Sequence, residues 1–222
     1  MPAKRHQLII WGAGGHAAVV ADAVRQTGTH QIVGFVDDAG GGRRSAKYLG
    51  VRVLGSRTEL AQVQKAGVDH IVIAIGDCAA RLELAGVAQS MGFRLCSAIH
   101  PRATVASSAK IGAGTVIVAG AVVNSGAVIG ENSIVNTCAS VDHDCVLQDG
   151  VHVCPGAHLA GNVTVGRGSW IGIGATVIER IRIGQGAFIA AGAVVVTDIP
   201  DGALAQGVPA KVIRKGQARR SG

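Results

Sequence analysis

Polar side chains suited to proton-transfer chemistry are concentrated in one stretch of the sequence, residues 136–158. They are Asn136, Asp142, His143, Asp144, His152 and His158. An imidazole exchanges a proton near neutral pH, and a carboxylate close to it can orient it. His143 is therefore the strongest candidate for a general base that deprotonates an incoming amine or hydroxyl. A surface histidine without a catalytic role is the alternative that the residue type alone leaves open.

A second segment with possible binding chemistry is the turn GAGGHA at residues 12–17, which follows a predicted strand and opens a predicted helix. Backbone N–H groups at the start of a helix attract phosphates. Asp37 and Asp38 end the second predicted strand. The turn is a weak dinucleotide fingerprint, and only three strand–helix units are present, half of the arrangement that holds a dinucleotide. A mononucleotide or its diphosphate fits better, and a tight turn without a ligand is the alternative.

Strands and helices alternate around this turn. The apolar runs LIIW, QIVGFVD and HIVIAIG alternate with the helical patterns HAAVVADAVRQTG, TELAQVQKAG and AARLELAGVAQSMG. This order predicts a small parallel, Rossmann-like α/β sheet in an N-terminal domain, residues 1–98. The Gly-rich, basic segment at residues 39–50 is interpreted as a loop that could close over phosphates.

A six-residue repeat occupies the next part of the sequence. From Ile99 to Val195 every sixth residue is aliphatic, through 17 hexapeptides without an insertion. The fifth position is small or aliphatic, and the fourth is Gly, Asn or Asp in 13 of the 17 hexapeptides. These three residue types tolerate a left-handed backbone, so a turn is expected every six residues. The repeat predicts a parallel β-helix of triangular coils in a second domain, residues 99–222, which ends in a basic tail.

Residues 18 positions apart stack in such a coil, about 4.8 Å from each other. His143 therefore stacks between Ser125 and Gly161. Gly161 can offer an unobstructed backbone N–H to a developing oxyanion, and losing such a donor costs about 10²–10³ in rate. His143, His152 and His158 are offset by 9 and 6 residues, so they lie at different positions around the coil. They cannot converge on one intrachain metal ion.

The stretch NTCASVDHDCVLQDGVHVCPGAHLAGNVTVG at residues 136–166 resembles a group of hexapeptide-repeat acyltransferases. The group comprises bacillosamine (PglD-like) and perosamine N-acetyltransferases and NeuD-like sialic acid O-acetyltransferases, which act on nucleotide sugars and related acceptors. The resemblance implies a left-handed β-helix, acetyl-CoA as co-substrate and His143 as the catalytic base. It also implies that Asn136 and His152 lie near the acetyl-CoA thioester and that Gly161 supplies the backbone donor.

Two carboxylates compete for the role of orienting His143. The resemblance assigns this role to Asp144. Adjacent residues on a flat strand point to opposite faces, so Asp144 can hold the imidazole only where a turn redirects it. Asp142 is the competing candidate.

Further residues are candidates for holding the two substrates. Smooth later coils suit a pantetheine arm, although plain packing also predicts them; the residues concerned are Ile173, Gly174 and Ala191. The ending GVPAKVIRK resembles the family's terminal segment, which implies that Lys211 and Arg214 meet coenzyme A phosphates, with a solvated tail as the alternative. The resemblance assigns the nucleotide to Gly12, Gly14, Gly15, His16, Asp37, Asp38, Gly76 and Asp77.

Composition narrows the possible partners and location. The net charge of +7 suits anionic ligands. Aromatic residues make up only 3%, so base-stacking platforms are nearly absent and no nucleic-acid partner is expected. No apolar stretch of about 18 residues and no export signal is visible, so no membrane partner is expected. Five cysteines without a CxxC pair fit a reducing compartment, which predicts a cytoplasmic location.

One functional hypothesis and three rivals follow. The hypothesis is transfer of acetyl from acetyl-CoA to the 4-amino group of a UDP- or GDP-linked 4-amino-4,6-dideoxy sugar, by direct attack and without a metal. The expected assembly is a homotrimer with active sites between subunits. The rivals are O-acetylation of sialic acid, serine or another hydroxyl acceptor, a zinc lyase of the γ-carbonic-anhydrase type, and a non-catalytic sugar-nucleotide binder.

Overall fold

A parallel sheet with three helices forms the N-terminal part of the chain. The computed structural model describes residues 5–39 and 46–214; the centre of the Gly-rich loop, residues 40–45, and the basic tail, residues 215–222, lie outside the described residues. The elements are β1 His6–Trp11, α1 Gly15–Thr27, β2 His30–Val36, β3 Lys47–Tyr48, β4 Val51–Gly55, α2 Leu60–Lys65, β5 His70–Ile73, α3 Cys78–Ser90 and β6 Arg94–Leu95, with a 3₁₀ turn at Arg57–Glu59.

The strand order in this sheet is β3-β4-β2-β1-β5-β6, and only β3 and β4 pair in an antiparallel way. The predicted α/β fold is confirmed. The observed sheet also contains three strands that were not predicted, β3, β4 and β6. Lys47 and Tyr48, which the sequence placed in a loop, form β3. These strands have two to five residues, too few for a clear alternation of apolar and polar side chains.

The repeat forms a left-handed β-helix with a triangular section, as predicted. We name its three sheets the first, second and third faces. The first face contains Ala98–Ile99, Val116–Ile117, Ile134–Val135, His152–Val153, Trp170–Ile171, Phe188–Ile189, Leu204–Gln206 and Lys211–Arg214; the second contains Thr104–Val105, Val122–Val123, Ser140–Val141, His158–Leu159, Thr176–Val177 and Val194–Val195; the third contains Lys110–Ile111, Val128–Ile129, Val146–Leu147, Thr164–Val165 and Arg182–Ile183.

The six-residue period sets both the interior and the corners of this β-helix. Aliphatic first positions and small fifth positions of successive hexapeptides fill one buried core along its length. The fourth position has a left-handed backbone at every turn from Gly114 to Gly192, including non-glycine residues such as Asn132, Asp144 and Asn162. Strands pair with a shift of 18 residues, so His152 lies between Ile134 and Trp170. The predicted register is confirmed.

The α/β part packs on the first face of the β-helix, with α1 against its first strand, Ala98–Ile99. Ala98, Val116 and Ile134 share an apolar cluster with residues of α1 and of β1. The first strand of the first face begins at Ala98, and the proposed domain division between residues 98 and 99 stays a prediction. No helix among the described residues is long and apolar enough to cross a membrane.

Candidate active site

His143 lies at the corner between the second and third faces, in the turn that separates Ser140–Val141 from Val146–Leu147. Its side chain is 56% exposed. The Nδ1 atom is 3.0 Å from Oδ2 of Asp144. Asp144 has a left-handed backbone, with φ of 58°, which turns its side chain back towards the preceding residue. Because a carboxylate only accepts hydrogen bonds, Nδ1 carries the proton and Nε2 of the neutral ring carries the free lone pair.

Asp142 supports the backbone of this turn. Its Oδ1 atom accepts a hydrogen bond from the His143 backbone N–H at 2.8 Å and another from Asn124 Nδ2 at 2.9 Å. The hydrogen bond to Asp144 raises the pKa of His143, and the charge of Asp142 adds to the effect. The imidazole contact is thus made by Asp144, and Asp142 acts through the main chain and through its charge.

Gly161 lies one coil from His143, directly beneath the imidazole. A Cβ atom added at Gly161 would lie 2.5 Å from both Cε1 and Nε2 of His143. Real Cβ atoms do not approach other atoms so closely, so only glycine accommodates the ring here. Gly161 is buried, and its N–H forms no hydrogen bond to any described residue.

A cleft of about 420 Å³ opens at the carboxyl ends of β1 and β5. Its lining is Ala13, Gly14, Gly15, His16, Asp37, Ala39, Ala74, Ile75 and Gly76. A Cβ atom at Gly14 or Gly15 would meet nothing within 4 Å, so the start of α1 is open on this side. The residue that caps α1, Gly14, offers no side chain to the first N–H groups of the helix. These free donors suit a phosphate group.

The other nucleotide candidates support the frame of the cleft. Gly12 has φ of 127°, and a Cβ atom there would lie 2.7 Å from the Ala74 carbonyl oxygen. Asp38 is bound to Arg57, through the Arg57 backbone N–H at 2.7 Å and its guanidinium at 2.8 Å. Asp77 caps α3 by accepting a hydrogen bond from Ala80 N–H at 2.8 Å. Of the acidic candidates, Asp37 alone lines the cleft.

His16 and His152 meet where the cleft adjoins the β-helix. Their ring centroids are 6.2 Å apart. His152 Nδ1 donates to the Gly76 carbonyl oxygen at 3.1 Å, and its Nε2 accepts from Asn136 Nδ2 at 3.1 Å. Both nitrogens of His152 are therefore occupied inside one chain. His16 lines the cleft, and its Nε2 atom is buried without a hydrogen-bond partner among the described residues.

Burial keeps both of these histidines neutral. Burial first, and then the charge of the nearby Arg81 guanidinium, lower the pKa of His152 to about 3 and that of His16 to about 4. His152 also packs against Trp170, with ring centroids 4.4 Å apart. A neutral, hydrogen-bonded His152 positions Asn136 and Gly76 and has no proton to exchange near neutral pH.

The coenzyme A candidates occupy another part of the β-helix. Asn136, Ile173, Gly174 and Ala191 all lie at the corner between the first and second faces. The Ile173 side chain is 60% exposed there. Lys211 and Arg214 belong to the last strand of the first face and are exposed. The second face separates this corner from His143, so one chain does not bring the two groups together.

Comparison with known proteins gives consistent matches along the chain. The family model described as the PglD N-terminal domain matches residues 7–87, and the bacterial transferase hexapeptide model matches residues 162–197. A GDP-perosamine N-acetyltransferase from Caulobacter crescentus, solved as a histidine-to-alanine variant with CoA and GDP-perosamine, is 39% identical with a TM-score of 0.90. That match covers 94% of this chain and 97% of the other. The chain belongs to the hexapeptide-repeat nucleotide-sugar acetyltransferase family.

Two further solved structures are similar over the same length. The acetyltransferase domain of PglB from Neisseria gonorrhoeae is 42% identical, with a TM-score of 0.89 over 94% of this chain and 100% of that domain; it has also been solved with acetyl coenzyme A. WeeI from Acinetobacter baumannii is 26% identical, with a TM-score of 0.84 over 94% of this chain and 100% of the other. The likeness to these structures therefore extends over both the α/β part and the β-helix of this chain.

Arg81 is a buried polar residue that was not among the candidates named from the sequence. Its side chain is fully buried where α3 meets the corner between the third and first faces. It donates hydrogen bonds to the carbonyl oxygens of Asn132, Gly150 and Gly76 at 2.7–2.8 Å. The sequence does contain a signal for its burial. Arg81 lies on the apolar side of α3, three residues after Cys78 and three before Leu84.

Proposed function

We propose that the chain transfers the acetyl group of acetyl-CoA to the 4-amino group of a nucleotide-linked 4-amino-4,6-dideoxy sugar, with His143 as the general base. The observation that carries the proposal is the His143 turn: an exposed imidazole, fixed through Nδ1 by Asp144, with the lone pair of Nε2 free over Gly161. The solved relatives with CoA and GDP-perosamine supply the substrate class.

The reaction requires removal of a proton from the sugar amine as it attacks the thioester carbonyl carbon. His143 Nε2 takes this proton, and Asp144 stabilises the imidazolium that forms. General base catalysis of this kind contributes about 10²–10⁴ in rate. In this proposal the Gly161 N–H stabilises the oxyanion. Collapse of the tetrahedral intermediate breaks the C–S bond, and the thiolate of coenzyme A receives the proton from His143.

The two substrates occupy different surfaces in this proposal. The nucleotide diphosphate lies in the cleft at the start of α1, against Gly14 and Gly15, with Asp37 and His16 as polar contacts. The pantetheine arm lies on the corner formed by Ile173, Gly174 and Ala191. Lys211 and Arg214 face the phosphates of coenzyme A; Asn136 and His152 support the thioester end.

We propose a homotrimer in which each active site is shared by two subunits. In a triangular section the corner of His143, between the second and third faces, is opposite the first face, and the nucleotide cleft lies next to the first face through the contact of His152 with Gly76. A sugar bound in the cleft therefore reaches a His143 corner only on a neighbouring subunit. In a trimer with threefold symmetry, the cleft of each subunit can pair with His143 of the next subunit. A cytoplasmic location fits the five free cysteines.

A zinc lyase that uses the histidines of the β-helix is disfavoured by their hydrogen bonds. Both nitrogens of His152 are bound within one chain, to Gly76 and Asn136. His158 Nδ1 is bound to Ser140 Oγ at 2.8 Å. O-acetylation has no specific support in the structure, since nothing in the His143 turn selects a hydroxyl over an amine.

The test is release of free thiol from acetyl-CoA with a panel of UDP-, GDP- and dTDP-linked amino sugars, followed by mass analysis of the product. Acetylation of a 4-amino nucleotide sugar is expected, and its loss is expected in His143→Ala. His158→Ala is the matched control, because it removes another exposed histidine of the β-helix. Equal turnover in His143→Ala and the wild type would refute the base assignment, and acetylation of hydroxyls alone would refute the substrate class.

A further inference from the structure

Three histidines begin three adjacent strands of the parallel sheet. His6 begins β1, His30 begins β2 and His70 begins β5, and the strand pairs place His6 opposite His30 and Leu8 opposite His70. This edge is formed by the amino ends of the strands, whereas the substrate cleft lies at their carboxyl ends. The function proposed above uses none of these histidines.

Cys96 completes a group of potential metal ligands at this edge. One ligand atom from each of His30, His70 and Cys96 lies within 4.8 Å of the others. His30 Nε2 and Cys96 Sγ are 3.4 Å apart. A tetrahedral zinc ion with bonds of about 2.0–2.1 Å to nitrogen and 2.3 Å to sulfur separates such atoms by about 3.5 Å. The distance between His30 Nε2 and Cys96 Sγ already matches zinc coordination, and the ligand atom of His70 lies within 4.8 Å of both residues' atoms.

The hydrogen bonds of His30 fix which ring nitrogen is free. Thr27 Oγ1 donates to the Val24 carbonyl oxygen at 2.8 Å, so it accepts from Thr29 Oγ1 at 3.0 Å. Thr29 Oγ1 in turn accepts from His30 Nδ1 at 2.9 Å. The proton of His30 is therefore on Nδ1, and the Nε2 lone pair points to Cys96.

His70 has the same arrangement. Its Nδ1 donates to Asp69 Oδ1 at 2.6 Å, which leaves the Nε2 lone pair free. A histidine that gives Nε2 to a metal and Nδ1–H to a carboxylate is the usual arrangement in protein zinc sites. Two imidazoles, each with an Nε2 lone pair not used in a hydrogen bond to its neighbouring residue, thus lie beside one thiol, a nitrogen and sulfur donor set typical of zinc.

We propose that His30, His70 and Cys96 bind a zinc ion, with His6 as the fourth ligand. The His6 ring centroid is 4.9 Å from that of His70 and 5.9 Å from that of His30, and the side chain is exposed and able to turn towards the ion. Cys96 directly follows β6 and precedes the first strand of the β-helix. The ion therefore cross-links β2, β5 and the connection between the two parts of the chain, and takes no part in acetyl transfer.

Titration of untagged, metal-free protein with Co²⁺ tests this site. We expect one tightly bound ion per chain, with the charge-transfer absorption of a cobalt–thiolate bond and the intense visible bands of tetrahedral cobalt, and displacement by Zn²⁺. Cys96→Ser should lose the thiolate band. Cys138→Ser, which removes an exposed cysteine of the β-helix, is the matched control and should keep it.

Two further measurements separate a zinc site from a hydrogen-bonded cluster that binds no metal. Asp69→Asn should weaken Zn²⁺ binding by about 10–100-fold, because this carboxylate only orients a ligand. Zn²⁺ should raise the melting temperature of the wild type and not that of Cys96→Ser or His30→Gln. Absence of Co²⁺ binding to the wild type, or equal Zn²⁺ binding by the wild type, Cys96→Ser and His30→Gln, would overturn the proposal.

Discussion

The Nδ1 atom of His143 lies 3.0 Å from the Oδ2 atom of the residue that follows it, Asp144. Consecutive residues on a flat strand would point to opposite sides. The contact exists because Asp144 occupies the left-handed position of its turn, with φ of 58°. A scaffold feature that recurs every six residues thus also orients the proposed base.

Asp144→Asn should shift the pH dependence of acetyl transfer. The base must be neutral to act, so kcat/KM falls as the pH drops through the pKa of His143. The hydrogen bond to Asp144 raises that pKa, so its loss should move the acidic limb of the profile to lower pH and lower the plateau. Asp142→Asn should shift the limb less. The orienting role would pass to Asp142 if only that variant moved the limb.

Gly161→Ala should reduce kcat without unfolding the protein. The new Cβ atom would lie 2.5 Å from Cε1 and Nε2 of His143, so the ring must move away. A displacement of about 1 Å at a reacting group lowers the rate by about 10². Gly86→Ala, at a helical position with nothing within 4 Å of the new atom, is the control for activity and melting temperature. Wild-type turnover in Gly161→Ala would contradict the contact.

The free energy of unfolding should decrease as the pH is lowered below about 6.5. In the unfolded chain His16 and His152 titrate near 6.5, whereas burial lowers their pKa values to about 4 and about 3 in the fold. The unfolded state therefore binds more protons over this window, so the free energy of unfolding decreases as the pH falls through it.

His152→Gln should reduce the slope of the free energy of unfolding against pH by up to about 1.4 kcal/mol per pH unit, between pH 6.5 and the pKa of His152 in the folded chain. Urea unfolding at several pH values measures the slope. His158→Gln changes an exposed histidine of the second face and should leave the slope at its wild-type value. An unchanged slope in His152→Gln would mean that His152 is not buried as a neutral ring.

Much of the fold was predictable because its signals are local and periodic. The inward positions from Ile99 to Val195 and the turn residues repeat in the sequence itself, and the stacking of His143 on Gly161 follows from the 18-residue coil. The left-handed position of Asp144 was also visible, since it is the fourth residue of its hexapeptide.

Other features depend on contacts between distant segments. His152 faces outwards from a coil strand, and the period alone predicts that it is a surface residue. It is buried because the α/β part of the chain covers this part of the first face, where the Gly76 carbonyl oxygen accepts a hydrogen bond from His152 Nδ1. Arg81 and the His30–His70–Cys96 group likewise come together only when separate strands and helices assemble. The choice between Asp142 and Asp144 required the side-chain positions in one turn, where Asp144 contacts the imidazole and Asp142 accepts a hydrogen bond from the His143 backbone N–H.

The proposed sharing of each active site by two subunits predicts that two inactive variants restore each other's activity. Gly14→Glu should block the nucleotide cleft without disturbing the fold, because Gly14 has an extended backbone and open space around it. Its carboxylate repels a diphosphate. His143→Ala keeps the cleft and loses the base. Each variant alone should be inactive with a nucleotide amino sugar.

Co-expression of the two variants in equal amounts should restore about one quarter of the wild-type activity, since random assembly pairs an intact cleft with an intact His143 at about one interface in four. Native mass spectrometry verifies that mixed trimers form. Co-expression of His143→Ala with His143→Asn is the control and should stay inactive. If mixed trimers of the first pair form and remain inactive, the cleft and His143 act within one chain. The proposal that a sugar in the cleft reaches His143 only on a neighbouring subunit would then be wrong.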